Sequence, residues 1–324
     1  MTYLVTGGTG FIGSRVVRNL VKSGEDVIAY DWAPAEAALA AFLSKEEIND
    51  RVKLVPGDVT DFPLLVRTLK DNSVSRVIHL ASLMYLDVNA NPLRGIRVNC
   101  EGTANVFEAA RLLDLEKVTW ESSGSVFGPP DRYAEAFIPN DAAHYPQNLY
   151  GAAKSFDEQV AAWYRDRYGL DITALRLVMV YGAGMRRGRT ARIIQELVYN
   201  PALGKPGRPP AAADNLFGWT HADDAAGMTV AASRITRPAE AAYSVSGELA
   251  TIGEMAAMVR ELVPGAELSL MPPEKAAGGS IMTCKYDMTA FDRDIGYTPR
   301  WTLREGLRDT MNLVRAEAGL APLG

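Results

Sequence analysis

Residues Thr6-Gly7-Gly8-Thr9-Gly10-Phe11-Ile12-Gly13 connect a β-branched run, Leu4–Thr6, to an amphipathic run, Ile12–Lys22. Three of the glycines fit the pattern G-x-G-x-x-G. Such a turn leaves the strand tightly, brings backbone N–H groups close to a phosphate, and places the positive end of a helix there. The spacing therefore predicts a phosphate-binding strand–turn–helix unit, although glycines so spaced also occur in ordinary turns.

Strand-like and helix-like runs alternate through the first third of the chain. The predicted strands are Leu4–Thr6, Val27–Tyr30, Val52–Val55, Val77–Leu80 and Val118–Trp120. The predicted helices are Ile12–Lys22, Ala35–Leu43, Phe62–Lys70 and Val98–Leu113. Strands that are apolar along their whole length and alternate with helices are typical of parallel sheets covered on both faces. We predict an α/β fold with a Rossmann-type doubly wound parallel sheet.

A long helix is predicted over Gln147–Tyr168, because Pro146 suits its first turn and Gly169 suits its end. Two further strands are predicted, a sixth over Ile172–Val180 and a seventh over Ala242–Val245. We therefore expect the chain to return to the sheet late in the sequence.

The remaining residues predict a smaller C-terminal lobe. Its predicted features are a proline- and glycine-rich loop, two helices, a short run and a glycine-rich segment: Pro201–Ala213, Ile252–Leu262, Leu303–Arg315, Glu267–Leu270 and Gly278-Gly279. We predict a cofactor domain of residues 1–181, with residues 217–250 returning to it. Residues 182–216 and 251–324 then form an interleaved substrate-binding lobe.

The composition is that of an ordinary soluble globular protein. The 324 residues carry 34 Lys+Arg and 39 Asp+Glu, and this net charge of −5 argues against a nucleic-acid partner. The two cysteines, Cys100 and Cys284, form no disulfide framework. Apolar runs are too short to cross a bilayer, and the first residues already predict a strand. We expect a cytoplasmic protein with no membrane partner.

Asp31 lies at the end of the second predicted strand, 18 residues after Gly13. A carboxylate at this place accepts hydrogen bonds from the adenosine ribose and repels a 2′-phosphate. No Arg or Lys occurs in residues 32–43 to offset that repulsion. The sequence therefore favours NAD over NADP as cofactor.

Tyr150 and Lys154 are four residues apart and lie on one face of the long predicted helix. A free tyrosine has a pKa of about 10, so it is a poor base near neutral pH unless a cation stabilises the phenolate. Lys154 supplies that cation, and Tyr150 can then exchange a proton with a substrate hydroxyl. A serine-rich segment, Glu121–Gly128, follows the fifth strand at the edge where α/β sheets bind ligands.

The combination of these motifs resembles the extended short-chain dehydrogenases/reductases, the NAD-dependent epimerase/dehydratase family. The resemblance extends over almost the whole chain. The matching segments are Thr6–Gly13, Gly57–Asp61, His79–Ser82, Val98–Val106, Pro146–Lys154, Leu175–Arg176, Val180–Gly182 and Thr220–Asp224.

The resemblance implies a role for each matching residue. Tyr150 is the acid/base, Lys154 tunes it and holds the nicotinamide ribose, and Ser123 orients the substrate. The implied cofactor-binding residues are Gly7, Gly10, Phe11, Ile12, Gly13, Asp31, Trp32, Asp58, Val59, Leu80, Ala81, Ser82, Asn99, Ser122, Tyr150, Lys154 and Leu177. No His, Cys or acidic cluster has metal-ligand spacing, so we expect no metal.

The sequence departs from relatives that bind nucleotide sugars, in which an asparagine and arginines hold the diphosphate. Met179, Phe217 and residues 276–280 (Ala-Ala-Gly-Gly-Ser) occupy the matching positions, and they offer no positive charge. A locally basic segment, Arg186–Arg192, either binds a carboxylate or phosphate or is a solvated face. The candidate substrate contacts are Leu83, Met84, Ser123, Ser125, Met179, Arg186, Arg189 and Trp219.

These observations lead to three hypotheses. The first is an NAD-dependent oxidoreductase that interconverts a secondary alcohol and a ketone in a small hydroxy compound, sugar-like or otherwise. The second is a sugar or nucleotide-sugar epimerase that keeps NAD tightly bound. The third is a regulatory protein that senses NAD without chemistry. The resemblance also implies a homodimer formed through helices 92–113 and 147–168.

Overall fold

The structure is a computed structural model that describes residues 1–134, 137–272 and 285–323. Its strands are β1 (Thr2–Thr6), β2 (Asp26–Asp31), β3 (Val52–Pro56), β4 (Arg76–His79), β5 (Lys117–Ser123), β6 (Ile172–Leu177), β7 (Val180–Tyr181), β8 (Leu216–His221), β9 (Ala242–Val245) and β10 (Glu248–Thr251). Seven of them form one parallel sheet in the order β3-β2-β1-β4-β5-β6-β9. The Rossmann-type doubly wound sheet predicted from the sequence is confirmed.

Helices cover both faces of this sheet, and other helices of the chain pack in a smaller lobe. They are α1 (Gly13–Lys22), α2 (Glu36–Ala40), α3 (Lys45–Arg51), α4 (Phe62–Asp71), α5 (Tyr85–Ala90), α6 (Pro92–Ile96), α7 (Gly102–Leu112), α8 (Leu149–Tyr168), α9 (Gly188–Ile194), α10 (Asn200–Ala202), α11 (Ala222–Arg234), α12 (Ile252–Leu262), α13 (Thr289–Asp294) and α14 (Leu303–Glu317). Trp120 and Phe107 lie in the core on one face, and Val17 and Val230 lie in the core on the other. This two-sided burial explains why the strands are apolar along their length.

The sixth predicted strand, Ile172–Val180, is divided in the structure. β6 ends at Leu177, and Met179 has a positive φ of 38°, a conformation that side chains other than glycine rarely adopt. The bend takes the chain out of the main sheet, so β7 pairs with β8 instead. β10 completes this second, three-stranded sheet by antiparallel pairing with β8.

The smaller lobe has its own apolar core. Side chains of the second sheet pack there with those of α9, α12 and α14. Predicted helix Ile252–Leu262 matches α12, whereas predicted run Glu267–Leu270 contributes only an isolated bridge between Gly207 and Leu268. Segment Gly278-Gly279 lies outside the described residues. The domain boundaries remain a prediction, although β9 belongs to the main sheet.

The helix predicted over Val98–Leu113 begins differently from an ordinary α-helix. Residues Arg97–Glu101 form a π-helical turn that continues into α7. A second π-helical turn, Gln195–Tyr199, follows α9. Such turns often occur at functional sites, because the wider turn re-aims its side chains. No helix within the described ranges is both long and apolar enough to cross a membrane.

Candidate functional site

The glycine turn after β1 forms a cradle of backbone N–H groups. Gly7 has a φ of +65°, and a Cβ on Gly13 would lie 2.0 Å from the Gly7 carbonyl oxygen, so both positions require glycine. Among the described residues, the N–H groups of Phe11, Ile12 and Gly13 have no hydrogen-bond acceptor. Free donors at the start of α1 are suited to an anion such as a pyrophosphate.

Asp31 lies beside this turn, at the carboxyl end of β2. Its Oδ2 accepts hydrogen bonds from the Thr9 N–H (3.2 Å) and the Thr9 hydroxyl (2.8 Å). The next residue, Trp32, is 64% exposed, and the Arg94 guanidinium lies 4.4 Å from the centre of its ring. The carboxylate is thus fixed at the place where a ribose would meet the glycine turn.

A buried series of hydrogen-bonded polar side chains supports the segment after β4. The Thr6 hydroxyl accepts hydrogen bonds from the N–H groups of Leu80 and Ala81, both at 3.1 Å. It also contacts His79 Nδ1 at 2.7 Å, and His79 Nε2 contacts the Thr103 hydroxyl at 3.0 Å. Burial lowers the pKa of His79 to about 3, so its ring is neutral.

Asn99 extends this support from the π-helical turn. It is fully buried, and its amide both accepts from the Leu83 N–H (2.7 Å) and donates to the Leu83 carbonyl (2.9 Å). The predicted groove residues Leu80, Ala81 and Ser82 therefore lie on a fixed segment and keep partly exposed surfaces.

Asp58 and Val59, predicted for the adenine side, follow β3. The exposed Asp58 carboxylate accepts from the Thr60 N–H and hydroxyl, each at 2.9 Å. Val59 is buried, and its carbonyl accepts a hydrogen bond from the Asn105 amide at 3.0 Å. This turn lies at the same edge of the sheet as Asp31, since β2 and β3 are parallel neighbours.

Tyr150 and Lys154 lie in the first turns of α8, which Asn148 caps by accepting from the Gly151 N–H at 2.8 Å. Tyr150 is 6% exposed and Lys154 is 2% exposed. Lys154 Nζ lies 5.9 Å from the centre of the Tyr150 ring and donates to the Glu121 carbonyl at 2.6 Å. The predicted tyrosine–lysine pair thus packs against the end of β5.

Ser123, the third residue of the predicted catalytic group, is the last residue of β5. Its hydroxyl donates to the Ser125 hydroxyl and accepts from the Ser125 N–H, each at 3.2 Å. Burial raises the pKa of Tyr150 well above its usual value; the nearby Glu121 carboxyl raises it further, and hydrogen bonding by Ser123 opposes the rise. Tyr150 is therefore protonated unless a cation stabilises its phenolate.

Two acidic residues that sequence reasoning missed surround Lys154. Burial raises the pKa of Asp157 to about 8 and that of Glu121 to about 7, whereas Lys154 lowers both. Burial also lowers the pKa of Lys154, and both acids oppose that shift. The signal in the sequence was their spacing: Asp157 is one helical turn after Lys154, and Glu121 precedes Ser123 by two residues on the same strand face.

Two predicted side chains are not available to a ligand in this structure. Ser122 is 1% exposed, and its hydroxyl donates to Glu158 at 2.5 Å, because alternation along β5 turns it away from Ser123. Trp219 is 2% exposed in the core of the smaller lobe, where its indole N–H donates to the Ala250 carbonyl at 3.0 Å.

The other candidate substrate contacts surround the turn between β7 and α9. Met84 is 39% exposed and lies within van der Waals reach of Gly188. The Thr190 hydroxyl lies 3.5 Å from Met179 Sδ. Both predicted arginines, Arg186 and Arg189, are exposed.

Two further residues singled out in the sequence are buried. Phe217 is 4% exposed and packs on Trp219, with 5.5 Å between ring centres. Leu177 is buried at the end of β6, and residues 276–280 lie outside the described residues. In the described ranges, no group of three His, Cys or acidic side chains is arranged to hold a metal ion.

Comparison with known proteins places this geometry in a family. A sequence model of the NAD dependent epimerase/dehydratase family matches residues 3–245. A curated relative, UDP-glucuronate 4-epimerase 4 of Arabidopsis thaliana, is 33% identical over 190 residues. That match covers 56% of this chain and 42% of the relative, so the chain spans less than half of that relative's length.

Solved structures match over nearly the whole chain. L-threonine 3-dehydrogenase from Trypanosoma brucei superposes with a TM-score of 0.85 at 19% identity and covers 99% of both chains. UDP-glucose 4-epimerase from Thermus thermophilus, in complex with NAD, superposes with a TM-score of 0.79 at 25% identity, covering 97% of this chain and 99% of its own. Solved structures that share this fold are therefore named for two different reactions, dehydrogenation and epimerisation.

Proposed function

The chain belongs to the NAD dependent epimerase/dehydratase family, and within that family we propose that it is a dehydrogenase acting on a small hydroxy compound. Its cofactor is NAD. The observation that carries the proposal is the apolar smaller lobe. Met179 and Phe217 pack against its core, so these two positions offer no donor to the diphosphate of a nucleotide sugar.

The residues present fit NAD. The free N–H groups at the start of α1 would hold the pyrophosphate, and Asp31 would hold the adenosine ribose. The missing side chain of Gly7 leaves room beside residues 80–82, because a Cβ on Gly7 would lie only 3.0 Å from the Ala81 nitrogen. When bound, NAD accepts hydride from a secondary alcohol or returns it to a ketone.

The chain's own side chains would move the proton. Tyr150 exchanges it with the substrate oxygen, and Ser123, in reach of the same oxygen, orients the substrate. Lys154 stabilises the phenolate by its charge and by holding the nicotinamide ribose. The buried setting strengthens this interaction, since water does not screen the Lys154 charge there.

The exposed arginines define the substrate class further. Arg186 and Arg189 flank the start of α9, next to Met84 and near Met179. A guanidinium binds a carboxylate in a bidentate manner. We propose a short hydroxy acid or hydroxy amino acid as substrate, and the naming of several structural neighbours as threonine dehydrogenases makes L-threonine the first compound to test.

The experiment is a substrate screen with NAD, read by NADH absorbance. It contains L-threonine, other hydroxy acids, simple alcohols, free sugars and UDP-glucose. We expect steady NADH formation with a small hydroxy acid, abolished by Arg189→Ala together with Arg186→Ala. Turnover restricted to UDP-sugars would refute the proposed substrate class.

The second candidate is an epimerase. The match to curated UDP-sugar 4-epimerases over somewhat more than half of the chain favours it. Such an enzyme takes hydride and returns it to the same substrate, so NADH does not accumulate. Conversion of a sugar to its epimer with no net NADH would establish this reading, and the same screen detects it when the products are separated by chromatography.

A further inference from the structure

A buried arginine lies in the first turn of α1, directly after the glycine turn. The Arg15 side chain is 5% exposed, and its guanidinium carbon lies 4.9 Å from the ring centres of both Phe11 and Phe42. Burying a charge is costly unless the charge is paired and its N–H groups are hydrogen-bonded. The acceptors that Arg15 reaches therefore indicate what the residue does.

The guanidinium of Arg15 donates to three different parts of the chain. Nε donates to the Asp223 carboxylate at the start of α11, at 3.1 Å, and this ion pair compensates the buried charge. Nη1 donates to the Phe11 carbonyl in the glycine turn, and Nη2 donates to the Ala183 carbonyl just after β7, each at 2.8 Å. A planar guanidinium holds its donors in fixed directions. One side chain thus connects the glycine turn to the segment that follows β7.

The hydrogen bond to Phe11 acts on the proposed cofactor cradle itself. The Phe11 carbonyl and the Ile12 N–H belong to one trans peptide unit, in which the two groups point in opposite directions. Since Arg15 binds the carbonyl, the Ile12 N–H points away from Arg15, and it is one of the donors that have no acceptor among the described residues. Arg15 therefore orients a donor that would bind the pyrophosphate.

The hydrogen bond to Ala183 acts on residues 182–187, the β7–α9 loop, which carries the first of the two arginines proposed to bind substrate. The hydroxyl of Tyr199, from the second π-helical turn, donates to the Gly182 carbonyl at 2.6 Å and accepts from the Met185 N–H at 3.2 Å. The loop is therefore held by the smaller lobe through Tyr199 and by the cofactor side through Arg15.

We propose that Arg15 is a positioning residue through which NAD, bound at the glycine turn, orders the β7–α9 loop. A phosphate that accepts from the Ile12 N–H polarises that peptide unit, which strengthens the hydrogen bond between the Phe11 carbonyl and Arg15. The guanidinium, fixed more firmly, then holds the Ala183 carbonyl in place. By reciprocity, a ligand that orders the loop tightens NAD binding. That the loop faces the substrate rests on the proposed function, whereas the coupling itself requires only NAD.

The test is hydrogen exchange, followed by mass spectrometry, on the full chain with and without saturating NAD. It requires no substrate. Two peptides are compared, one from the glycine turn and one from the β7–α9 loop, in which the Met185 N–H is hydrogen-bonded. In the wild-type protein we expect NAD to slow exchange in both. The expected factor in the loop is about three, which corresponds to strengthening one charge-assisted hydrogen bond by about a third.

Arg15→Lys is the variant that breaks the connection. A lysine keeps a cation beside Asp223, so the protein should fold, but it lacks the planar guanidinium that reaches the Phe11 and Ala183 carbonyls together. We expect NAD to protect the glycine turn of this variant and to leave the exchange rate of the loop unchanged. Arg18→Gln is the matched control, because Arg18 also donates to Asp223, at 3.2 Å, but within the described residues donates to neither carbonyl. It should keep the threefold effect.

Protection of the glycine turn reports NAD binding, so the experiment separates the coupling from the proposed function. A wild-type loop that exchanges equally fast with and without NAD, while the glycine turn is protected, would overturn the coupling and leave the cofactor assignment intact. A loop effect that persists in Arg15→Lys would also overturn it. If Arg15→Lys does not fold, the comparison of wild type with Arg18→Gln decides. Loss of loop protection in Arg18→Gln would then assign the effect to the Asp223 ion pairs and refute the role of Arg15.

Discussion

Among single residues, Tyr150 is the one on which the proposed chemistry depends most directly. Its hydroxyl is the proposed proton carrier, and removing it leaves the ring, its packing and the cofactor cradle in place. We expect Tyr150→Phe to lower kcat by about 10²- to 10⁴-fold, the usual contribution of general acid–base catalysis. NAD affinity, measured by calorimetry, should change little.

A second tyrosine provides the control for that variant. Tyr145 is 42% exposed and lies just before α8, so Tyr145→Phe should keep full activity. A Tyr150→Phe enzyme with more than about a tenth of wild-type kcat would contradict the assigned role.

Asp31 decides the cofactor by charge. Asp31→Asn keeps an oxygen that can accept from Thr9 but removes the negative charge that repels a 2′-phosphate. We expect the ratio of kcat/KM for NADP to that for NAD to rise by about tenfold or more, equivalent to about 1.4 kcal/mol. The matched control is Asp26→Asn, at the other end of β2. An unchanged cofactor ratio in Asp31→Asn would argue against its placement at the ribose.

The site was only partly predictable from these residues. The spacing of Tyr150, Lys154 and Asp31 is visible in the local pattern of one helix and one strand end, and the family resemblance then implies their roles. The spacing of Glu121 and Asp157 fits the same strand and helix faces, but their importance depends on which side chains of another element face them, and spacing does not show that. The hydrogen bond from Ser122 to Glu158 could not be predicted for the same reason, because its acceptor lies on another element.

At the scale of elements, the buried pair Arg176–Glu158 ties α8 to β6. Both side chains are 7% exposed, and Ser122 of β5 donates to the same carboxylate. Removing one partner of a buried pair leaves the other charge uncompensated, which costs about 3 to 5 kcal/mol. We expect Glu158→Gln to lower the free energy of unfolding by about that amount in urea denaturation.

An exposed pair on a neighbouring element is the control. Arg97 and Glu101 are 67% and 49% exposed, four residues apart, and such pairs contribute at most about 0.5 kcal/mol. Glu101→Gln should therefore be nearly silent. Similar losses in the two variants would show that the buried pair does not stabilise the contact between α8 and β6.

The elements themselves were predicted well where burial is regular. The strands of the main sheet are apolar along their length, which a single sequence reveals directly. The division of the sixth strand was not predictable, because Val178, Met179 and Val180 continue the apolar run and only the positive φ of Met179 breaks it. The short helix α5 was also missed, since six residues are too few to show a period.

At the scale of the whole molecule, one outer face is unusually apolar. Phe156 and Trp163 are 52% and 53% exposed and lie seven residues apart on α8, hence on one face of the helix. Leu93, Ile96 and Leu112, on the run formed by α6, the π-helical turn and α7, are also exposed. The two helical runs pack against each other, and several exposed apolar side chains on neighbouring elements are typical of an interaction site. We propose that a second copy of the chain covers it, through the two helical runs predicted from the sequence.

The expected particle is therefore a homodimer of twice 35.1 kDa, which light scattering at micromolar concentration measures directly. A specific interface buries roughly 800 Å² per partner with a central apolar anchor. Phe156→Arg with Trp163→Arg places charge at that anchor, so we expect the double variant to be a folded monomer by mass and circular dichroism. Leu313→Arg is the matched control, because Leu313 is 41% exposed on α14, outside the two helical runs. A monomeric wild-type chain, or dissociation caused equally by Leu313→Arg, would refute this interface.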